Sequence, residues 1–207
     1  MRASKRVFDV IAAAIGLVVL APILVVIGLL IALDDGLPVV FHQARVGRGG
    51  VPFVLHKFRT MRVGAESQSA LTVGHDGRVT RVGRWLRAHK LDELPQLVNV
   101  LGGDMSLVGP RPEVPVYVAH YTGEQCRVLQ LVPGMTDPAS LAYWNESTLL
   151  AMYPDPEAAY RDIILPDKIR RNLAYAEHAG WWSDLGVILR TVFRGQAGGS
   201  EAPRYRG

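Results

Sequence analysis

The chain has 207 residues, of which 49% are hydrophobic and 20% are charged, with a formal net charge of +4. This balance excludes a largely disordered chain, and the single cysteine, Cys126, excludes a scaffold built on intrachain disulfides. No two of the six histidines lie close together in the sequence, which gives no basis for a His/Cys zinc site.

The charge is unevenly distributed along the chain. Residues 41–90 contain ten basic and two acidic side chains, whereas residues 91–207 contain ten basic and fourteen acidic ones. A basic segment beside an acidic one suits a protein that meets an anionic ligand or surface with one part of its chain. A uniform nucleic-acid-binding stripe does not fit this pattern, so no nucleic-acid partner is expected.

The N-terminal segment is long and apolar. Residues 10–33 form 24 consecutive positions without a charge, about 36 Å as a helix at ~1.5 Å per residue. Arg2, Lys5 and Arg6 precede the run and favour a cytoplasmic N-terminus. The run is too long for a typical signal peptide. It leaves two interpretations open, a simple span and a re-entrant hairpin that breaks at Pro22.

The next elements read as a hairpin followed by a basic helix. Short β-prone runs at 39–41 and 52–55 flank a glycine-rich turn, which is either a plain turn or a phosphate cradle. Residues 57–62 place Lys57 and Arg59 next to the second strand as a candidate anion site. Residues 63–78 read as a loop. Residues 80–90 predict a basic helix that carries Arg87. This helix either lies near anionic membrane headgroups or is an ordinary exposed helix.

Two adjacent carboxylates, Asp92 and Glu93, interrupt this basic stretch. An apolar stripe at 94, 97, 98 and 101 predicts a buried helix, and Pro95 indicates that it begins close by. Acidic residues at a helix start are commonly caps that complement the helix dipole. Their position after so many cations also suits a divalent metal and a phosphate-bearing substrate.

Two proline-containing strings follow. Gly109-Pro110-Arg111-Pro112-Glu113 holds one guanidinium between two rigid residues, which suits either bidentate phosphate binding or a structural turn. Residues 133–136 read as another turn. Beyond them, a helix opening at 165–168 and running to Tyr175, and an amphipathic helix over 185–193 preceded by two tryptophans, are predicted.

Together these strings resemble the bacterial sugar transferases that make polyprenyl-linked sugars, the monotopic phosphoglycosyl transferases. The similarity runs from about Lys5 to Phe193 and is closest to the small members with one catalytic domain. It rests on the following strings: Lys5-Arg6-Val7-Phe8-Asp9, Gln43-x-Arg45-x-Gly47, Lys57-Phe58-Arg59-Thr60-Met61, Thr80-Arg81-Val82-Gly83-Arg84-Trp85-Leu86-Arg87, Leu91-Asp92-Glu93-Leu94-Pro95-Gln96-Leu97, Gly109-Pro110-Arg111-Pro112-Glu113, Pro133-Gly134-Met135-Thr136 and Trp182-x-Asp184-Leu185.

The resemblance implies an α/β membrane-associated fold. A re-entrant helix-break-helix anchor would occupy residues 1–36, with Lys5, Arg6 and Pro22 as its marker residues. A mostly helical cytosolic catalytic domain, with a small β-hairpin and amphipathic interface helices, would occupy 37–195, and a flexible tail 196–207. UDP-sugars are cytoplasmic, so the resemblance also implies the cytoplasmic face of the bacterial inner membrane and favours the hairpin over a span.

The activity that the resemblance implies is transfer of a sugar-1-phosphate from a UDP-sugar to a polyprenyl phosphate, with release of UMP. It would begin a lipid-linked surface glycan or glycoprotein glycan. Asp92 would be the nucleophile, and Glu93 a metal ligand or a base. Mg²⁺, held by Asp92 and Glu93, would neutralise the diphosphate. The implied substrate-binding residues are Lys57, Arg59, Arg87, Arg111, Pro112 and Glu113. No particular sugar, lipid length or oligomeric state is implied.

The sequence departs from the family pattern at two points. Ala21 stands before Pro22 where the family often has serine, so a break there would rest on proline and its neighbours. Asp137, Pro138 and Ala139 follow Thr136 where the family commonly has Gly-Leu-Ala, which affects local substrate contacts. Two rival functions remain open on the sequence: a non-catalytic, membrane-anchored basic module, and a sugar transferase that breaks the glycosidic C–O bond and releases UDP.

Overall fold

A computed structural model describes residues 3–65, 71–74 and 76–193. Within these residues the protein is mostly helical and carries two small two-stranded sheets. The tail expected at 196–207 lies outside the described residues. In chain order the elements are α1 (Ala3–Asp35), β1 (Val40–Val46), β2 (Pro52–Phe58), α2 (Arg81–Ala88), a 3₁₀ turn (Leu91–Gln96), α3 (Leu97–Gly102), β3 (Ser106–Val108), α4 (Pro115–Val118), a second 3₁₀ turn (Gln125–Gln130), β4 (Gly134–Thr136), α5 (Pro138–Ala142), α6 (Glu146–Leu150), α7 (Pro156–Ala159), a π turn (Tyr160–Ile164), α8 (Leu165–His178) and α9 (Trp181–Phe193).

Helix α1 is long and apolar enough to cross a membrane, as predicted, but it is not divided at Pro22. The helix is continuous over 33 residues with Pro22 inside it. The predicted helix-break-helix is therefore wrong as a statement about secondary structure. An internal proline removes one backbone hydrogen bond and crowds the preceding turn, and the apolar residues on both sides keep the helix going.

One face of α1 packs along the rest of the chain. Its first half, including Ala13, meets Leu97 and Val100 of α3, and its second half, including Ile27 and Ile31, joins another core cluster with residues of β2 and α2. The remaining faces carry large apolar side chains that are exposed, such as Val18 at 76%. A solvent-exposed apolar surface of this size indicates contact with a membrane or a partner.

The N-terminal end of α1 is tied to the domain by polar contacts. Lys5 Nζ donates to Asp184 Oδ2 at 2.6 Å, and Arg6 donates to two carbonyls in α3 at 2.5 and 2.8 Å. Asp9 is fully buried and accepts from the hydroxyl of Ser106 at 2.8 Å. Buried charges of this kind are tolerated only when they are hydrogen-bonded, so they fix the helix start against α3 and β3.

The C-terminal end of α1 is tied to the same domain. Asp34 Oδ2 accepts from the backbone N–H of Val82 at 3.0 Å, near the start of α2. Arg59, which follows β2, donates to the carbonyls of Asp35 and Gly36 at 2.7 and 2.8 Å. Cations near a helix C-terminus complement its dipole and its free carbonyls. Both ends of α1 are therefore fastened to one body.

The predicted hairpin and basic helix are confirmed. β1 and β2 pair antiparallel from Val40 opposite Phe58 to Val46 opposite Pro52, with a glycine-rich turn between them. Helix α2 begins after Thr80, whose side chain accepts from the N–H of Gly83 at 2.9 Å as an N-cap. The apolar stripe that follows is helical as expected, first as the 3₁₀ turn and then as α3.

The predicted turn at 133–136 is wrong for its last three residues. Gly134–Thr136 is a strand, β4, that pairs parallel with β3 through Ser106 opposite Gly134 and Val108 opposite Thr136. A side-chain carbon at Gly134 would overlap the backbone of Gly109, so glycine is needed for close approach of two segments rather than for a turn.

The C-terminal helices follow their predictions. α8 begins at Leu165 with Pro166 in its first turn and runs to His178, and α9 covers Trp181–Phe193. The largest buried cluster joins α4, α6 and the stretch from α7 to α8, with Tyr117, Tyr160 and Ile164 among its members. In α9, Trp182 is 85% exposed, which suits a helix at a membrane interface.

Candidate active site

A cavity of about 400 Å³ opens between β2, α2, the 3₁₀ turn after it, and the helices from α4 to α8. Seven basic and five acidic side chains line it. Six of the eight predicted site residues other than the membrane anchor line it, namely Lys57, Arg87, Asp92, Glu93, Arg111 and Glu113. The charged lining residues are Arg45, Lys57, Asp76, Arg84, Arg87, Lys90, Asp92, Glu93, Arg111, Glu113, Glu146 and Lys168.

Asp92 is held at the start of the 3₁₀ turn by an unusual backbone conformation. Lys90, the residue before that turn, has a positive φ of 57°, which turns the chain sharply after α2. A non-glycine residue in the left-handed region is strained, and such residues concentrate at functional sites. Asp92 lies 8% exposed in the cavity wall as a result.

The carboxylate of Asp92 is poorly compensated by hydrogen bonds. Among the described residues, its buried oxygen Oδ1 has no hydrogen-bond partner. Burial and then repulsion from Glu93 raise the pKa of Asp92, against the opposing attraction of Arg87, Lys90 and Lys57. A buried acceptor without a donor costs free energy, and catalytic groups are one class of residue that carries this cost.

Glu93 is engaged with Arg111. The guanidinium donates from Nη1 to Oε2 at 2.9 Å and from Nη2 to Oε1 at 2.6 Å, so both carboxylate oxygens are used. Burial would raise the pKa of Glu93, but the attraction of Arg111 and its hydrogen bonds outweigh burial and lower that pKa to about 2. The same attraction to Glu93 raises the pKa of Arg111. This bidentate pair fixes the guanidinium in one orientation.

Three further cations face Asp92 or its surroundings. Burial, followed by repulsion from Arg45 and Arg87, lowers the pKa of Lys57 to about 8. Burial also lowers the pKa of Arg87, whose Nε donates to the hydroxyl of Thr60 at 2.8 Å. Arg45 is affected in the same direction and for the same reason. Crowded, desolvated cations are arranged to receive a strongly anionic ligand.

Pro112 and Glu113 support the site from behind. The carbonyl of Pro112 accepts from Arg45 Nη1 at 2.9 Å, and Pro112 does not line the cavity itself. Glu113 is buried, accepts from the hydroxyl of Tyr160 at 2.5 Å and lies 3.9 Å from Arg45 Nη1. The string around Arg111 therefore has a positioning role in addition to the guanidinium that it presents.

Arg59 is not brought to the cavity. It is 3% exposed, does not line the cavity, and its Nη2 donates to the carbonyls at the end of α1. Its prediction as a substrate-binding residue is not supported by this placement. β2 ends at Phe58, so the alternation of side chains along a strand does not determine the direction of Arg59.

Several residues of the cavity wall were not predicted from the sequence. Arg45 belongs to a string shared with the family but was given no binding role, and none was given to Lys90, Lys168 or Tyr160. Lys168 is 7% exposed and donates to Glu146 Oε2 at 2.8 Å. Arg45 carried a usable signal, because it lies opposite Phe53 on the strand that pairs with the one holding Lys57.

The residues present fit a magnesium ion only in part. Within the described residues, no group of three or more His, Cys, Asp and Glu side chains could hold a metal. Mg²⁺ commonly binds through one or two carboxylates together with substrate phosphates, so a full protein cage is not required. Asp92 has a free oxygen for this purpose, whereas Glu93 is occupied by Arg111.

The chain is similar to known proteins over most of its length. A family model for bacterial sugar transferases matches residues 1–197. The chain is 38% identical over 192 residues to the UDP-glucose:undecaprenyl-phosphate glucose-1-phosphate transferase of Caulobacter vibrioides, covering 91% of this chain and 68% of that protein. It is 43% identical over 188 residues to the sugar transferase EpsL of Bacillus subtilis, covering 91% of this chain and 85% of that protein.

A third relative is longer than this chain. The undecaprenyl-phosphate glucose phosphotransferase of Komagataeibacter xylinus is 49% identical over 198 residues, covering 92% of this chain but 35% of that protein. The segment that the family model matches, residues 1–197, contains α1 and the residues of the cavity wall. The chain belongs to the bacterial sugar transferase family and is a transferase.

Proposed function

We propose that this protein transfers a sugar-1-phosphate from a UDP-sugar to a polyprenyl phosphate, such as undecaprenyl phosphate, and releases UMP. The observation that carries the proposal is Asp92, a buried carboxylate with an oxygen that lacks a hydrogen-bond donor, in a cavity ringed by cations. The relatives in Caulobacter and Komagataeibacter are named for transfer to undecaprenyl phosphate. The product would begin a lipid-linked glycan such as an exopolysaccharide.

The reaction would proceed in two displacements at one phosphorus atom. A carboxylate oxygen of Asp92 attacks the sugar-proximal phosphorus, an aspartyl–phosphorus bond forms, and the bond to the UMP oxygen breaks. An oxygen of the polyprenyl phosphate then attacks the same phosphorus, and the Asp92 carboxylate leaves. Sugar, phosphate and UMP are thereby conserved, and the product is a polyprenyl diphosphate-sugar.

The cations around Asp92 would stabilise the charge of the phosphates. Lys57 and Arg87 lie where they attract Asp92 itself, so a phosphate close to Asp92 meets the same two charges. Arg111 keeps a fixed orientation through Glu93 and has N–H groups beyond the two that Glu93 accepts. Positioned, desolvated donors of this type stabilise the transition state of phosphoryl transfer.

Glu93 would act by holding Arg111. Since its pKa lies near 2 and both of its oxygens accept from Arg111, it is a poor base in this arrangement. Mg²⁺ would be held by Asp92 and by the diphosphate of the donor, and when bound it supplies charge neutralisation to the departing UMP. Magnesium dependence of the purified enzyme, lost with EDTA and restored by Mg²⁺, tests this part of the proposal.

The protein would be anchored to the cytoplasmic face of the bacterial inner membrane without crossing it. This topology is supported by the polar contacts that fasten both ends of α1 to one domain and by the packing of α1 along that domain. A span would need its two ends on opposite sides of the bilayer. The anchor would therefore enter and leave the membrane by the same face, although the helix is continuous through Pro22.

Topology is tested by cysteine labelling in a Cys126→Ser background. Cysteines placed at Ser4 and at Leu37 are expected to react only from the cytoplasmic side, because both ends of α1 lie there. Labelling from the periplasm of a cysteine at position 37 would show that α1 spans the membrane.

The identity of the released nucleotide tests the reaction itself. Purified enzyme with UDP-glucose, undecaprenyl phosphate and Mg²⁺ is expected to release UMP, because the bond broken lies between the two phosphates. Release of UDP would assign the enzyme to the class that breaks the glycosidic bond. Absence of turnover with a panel of UDP-sugars would favour the non-catalytic basic module.

A further inference from the structure

A second, smaller chamber lies beside the main cavity. It has a volume of about 150 Å³ and shares six wall residues with the main cavity, including Glu93, Arg111 and Trp144. The chamber does not include Asp92, and its separate wall comes from β4, α5 and α9. The Arg111–Glu93 pair therefore stands between the two spaces, next to the proposed nucleophile.

The stereochemistry of the proposed reaction places the sugar to one side. In phosphoryl transfer the attacking and leaving oxygens lie roughly in line through phosphorus, so the other three substituents project laterally. When Asp92 attacks and UMP leaves, one of those lateral substituents is the oxygen that carries the sugar. The sugar thus requires a space beside the line from Asp92 to UMP, bordered by the residues that bind the phosphate.

The chamber has the size and chemistry for one sugar ring. It is small beside the ~300–1000 Å³ typical of pockets for larger ligands. Four hydroxyl side chains contribute to its separate wall, those of Thr136, Ser140, Tyr143 and Thr191, together with the apolar Met135 and Leu141. Neutral hydroxyls next to apolar surface match a pyranose, which has hydroxyls at its rim and C–H groups on its faces.

The hydroxyls are positioned by bonds that leave them able to accept. Thr191 donates to the carbonyl of Val187 at 2.9 Å, so in the 2.5 Å contact between Thr136 and Thr191 the donor is Thr136. A hydroxyl oxygen has two lone pairs, and that of Thr136 accepts from no described residue. Both threonine side chains are thus fixed in orientation and can still receive a sugar hydroxyl.

We propose that this chamber binds the sugar ring of the donor and that its α9 residue, Thr191, helps to set which sugars are accepted. The inference rests on the proposed function for the position of the scissile phosphate. The proposal also gives a structural role to Asp137, one of the residues at which the sequence departs from the family pattern after Thr136. Asp137 is buried and caps α5 by accepting from the N–H of Ser140 at 3.0 Å, which fixes Ser140 in the chamber wall.

Filling the chamber tests the proposal without touching the nucleotide site. Thr191→Leu adds a branched side chain to the wall and is expected to weaken UDP-glucose binding by about tenfold or more, since extra methylenes in a fitted pocket exclude ligand. UDP contains the nucleoside and both phosphates but not the hexose, so its affinity should change by less than about twofold. Both affinities are measured by calorimetry on the full chain in detergent or nanodiscs, with EDTA in place of Mg²⁺ so that UDP-glucose binds without reacting.

The chain offers a matched control one residue along the same helix. Val192 is 69% exposed and does not line the chamber, so Val192→Leu should leave the affinities for UDP and UDP-glucose unchanged. Thr191→Val, which removes only the hydroxyl, serves as a second variant that keeps the packing of α9. It should weaken the binding of UDP-glucose by a smaller factor, about two- to fivefold, and leave the affinity for UDP unchanged.

The outcomes separate this proposal from its alternatives. Equal weakening of UDP and UDP-glucose, or no weakening of either, overturns it. A higher KM for polyprenyl phosphate with unchanged affinity for UDP-glucose would also overturn it and would assign the chamber to the acceptor. If the wild-type protein binds UDP-glucose in this Thr191-dependent way yet releases no UMP, only the proposed reaction fails.

Discussion

Charged groups are buried in two regions of the molecule, the junction of α1 with the domain and the main cavity. The two regions differ in the hydrogen bonds that their buried aspartates accept. At the junction, Asp9 accepts from the hydroxyl of Ser106 at 2.8 Å and from the N–H of Leu107 at 3.3 Å. In the cavity, Asp92 is nearly as buried, and its Oδ1 accepts from no described donor. The protein completes the first carboxylate itself and leaves the second incomplete.

The cationic groups of the two regions differ in what they face. Arg59 at the junction donates from Nη2 to backbone carbonyls at the end of α1 and does not line the cavity, and its buried Nε and Nη1 have no partner among the described residues. Arg111 is oriented by Glu93 and lines the cavity. Neither burial of charge nor an unpaired polar atom therefore identifies a functional group by itself. What distinguishes the active site is that its oriented charges line one cavity.

The largest expected effect on turnover comes from replacing Asp92 by asparagine. Asp92→Asn should reduce turnover by about a thousandfold or more, because an amide replaces the nucleophile. Its apparent Tm should not fall, since the change removes a buried charge that lacks a donor. Turnover is measured as UMP release and Tm by thermal scanning of the same preparation.

Asp9→Asn is the matched control for that comparison. It should lower the apparent Tm by about 5 °C, because one accepted hydrogen bond of a fully buried group is lost. Turnover per folded molecule should remain near that of the wild type. If Asp92→Asn left both Tm and turnover near those of the wild type, Asp92 would be a structural helix-start residue, since asparagine caps helices about as well as aspartate.

Arg111→Lys has the next largest effect. It keeps the positive charge but loses the planar fork that pairs with Glu93, so a charge-assisted contact worth about 1.5–3 kcal/mol is weakened. We expect kcat/KM for the UDP-sugar to fall by about ten- to a hundredfold on that basis. Wild-type kinetics in this variant would show that the guanidinium does not bind the donor.

The pH dependence of Lys57 predicts a smaller effect. Since burial and neighbouring cations lower the pKa of Lys57 to about 8, its charge is present below pH 8 and is lost as pH rises through that value. The kcat/KM profile of the enzyme should therefore decline on the alkaline side near pH 8. Lys57→Arg keeps its charge and should move this decline to higher pH. If the decline occurred at the same pH in both enzymes, it would not arise from deprotonation of Lys57.

Arg59→Lys should have the smallest effect on turnover. Because Arg59 binds the end of α1 and does not line the cavity, kcat and KM should stay within about twofold, while apparent Tm falls through weaker contacts to the helix carbonyls. A loss as large as that of Arg111→Lys at unchanged Tm would return Arg59 to the substrate site and would remove the contrast between the two regions.

Local features of the fold could be predicted because their signals are local. The hairpin follows from β-prone runs around glycines, and α2, α3, α8 and α9 follow from apolar spacing and caps. The pairing of β3 with β4 could not be predicted this way. These strands are three residues each and separated in sequence, and the glycine that allows their contact looks like a turn residue when read alone.

The site could be predicted where chemistry was concentrated in a short string. Asp92-Glu93 and the string around Arg111 stood out against their neighbours, and the cavity brings them together. Residues that reach the cavity from distant elements, such as Lys168 and Tyr160, had no such signal, because their positions depend on how α7 and α8 pack. The direction of Arg59 depends on the path of the chain after β2, where its Nη2 donates to the carbonyl of Asp35.

The central claim, that Asp92 becomes covalently bonded to the sugar phosphate, is tested by intact-mass spectrometry without the acceptor. Wild-type enzyme incubated with Mg²⁺ and UDP-glucose alone should release up to about one UMP per active site and gain the mass of a hexose phosphate on the peptide that contains Asp92. Asp92→Asn should do neither. A wild-type enzyme that releases UMP only when polyprenyl phosphate is present, and never gains this mass, would contradict the covalent mechanism.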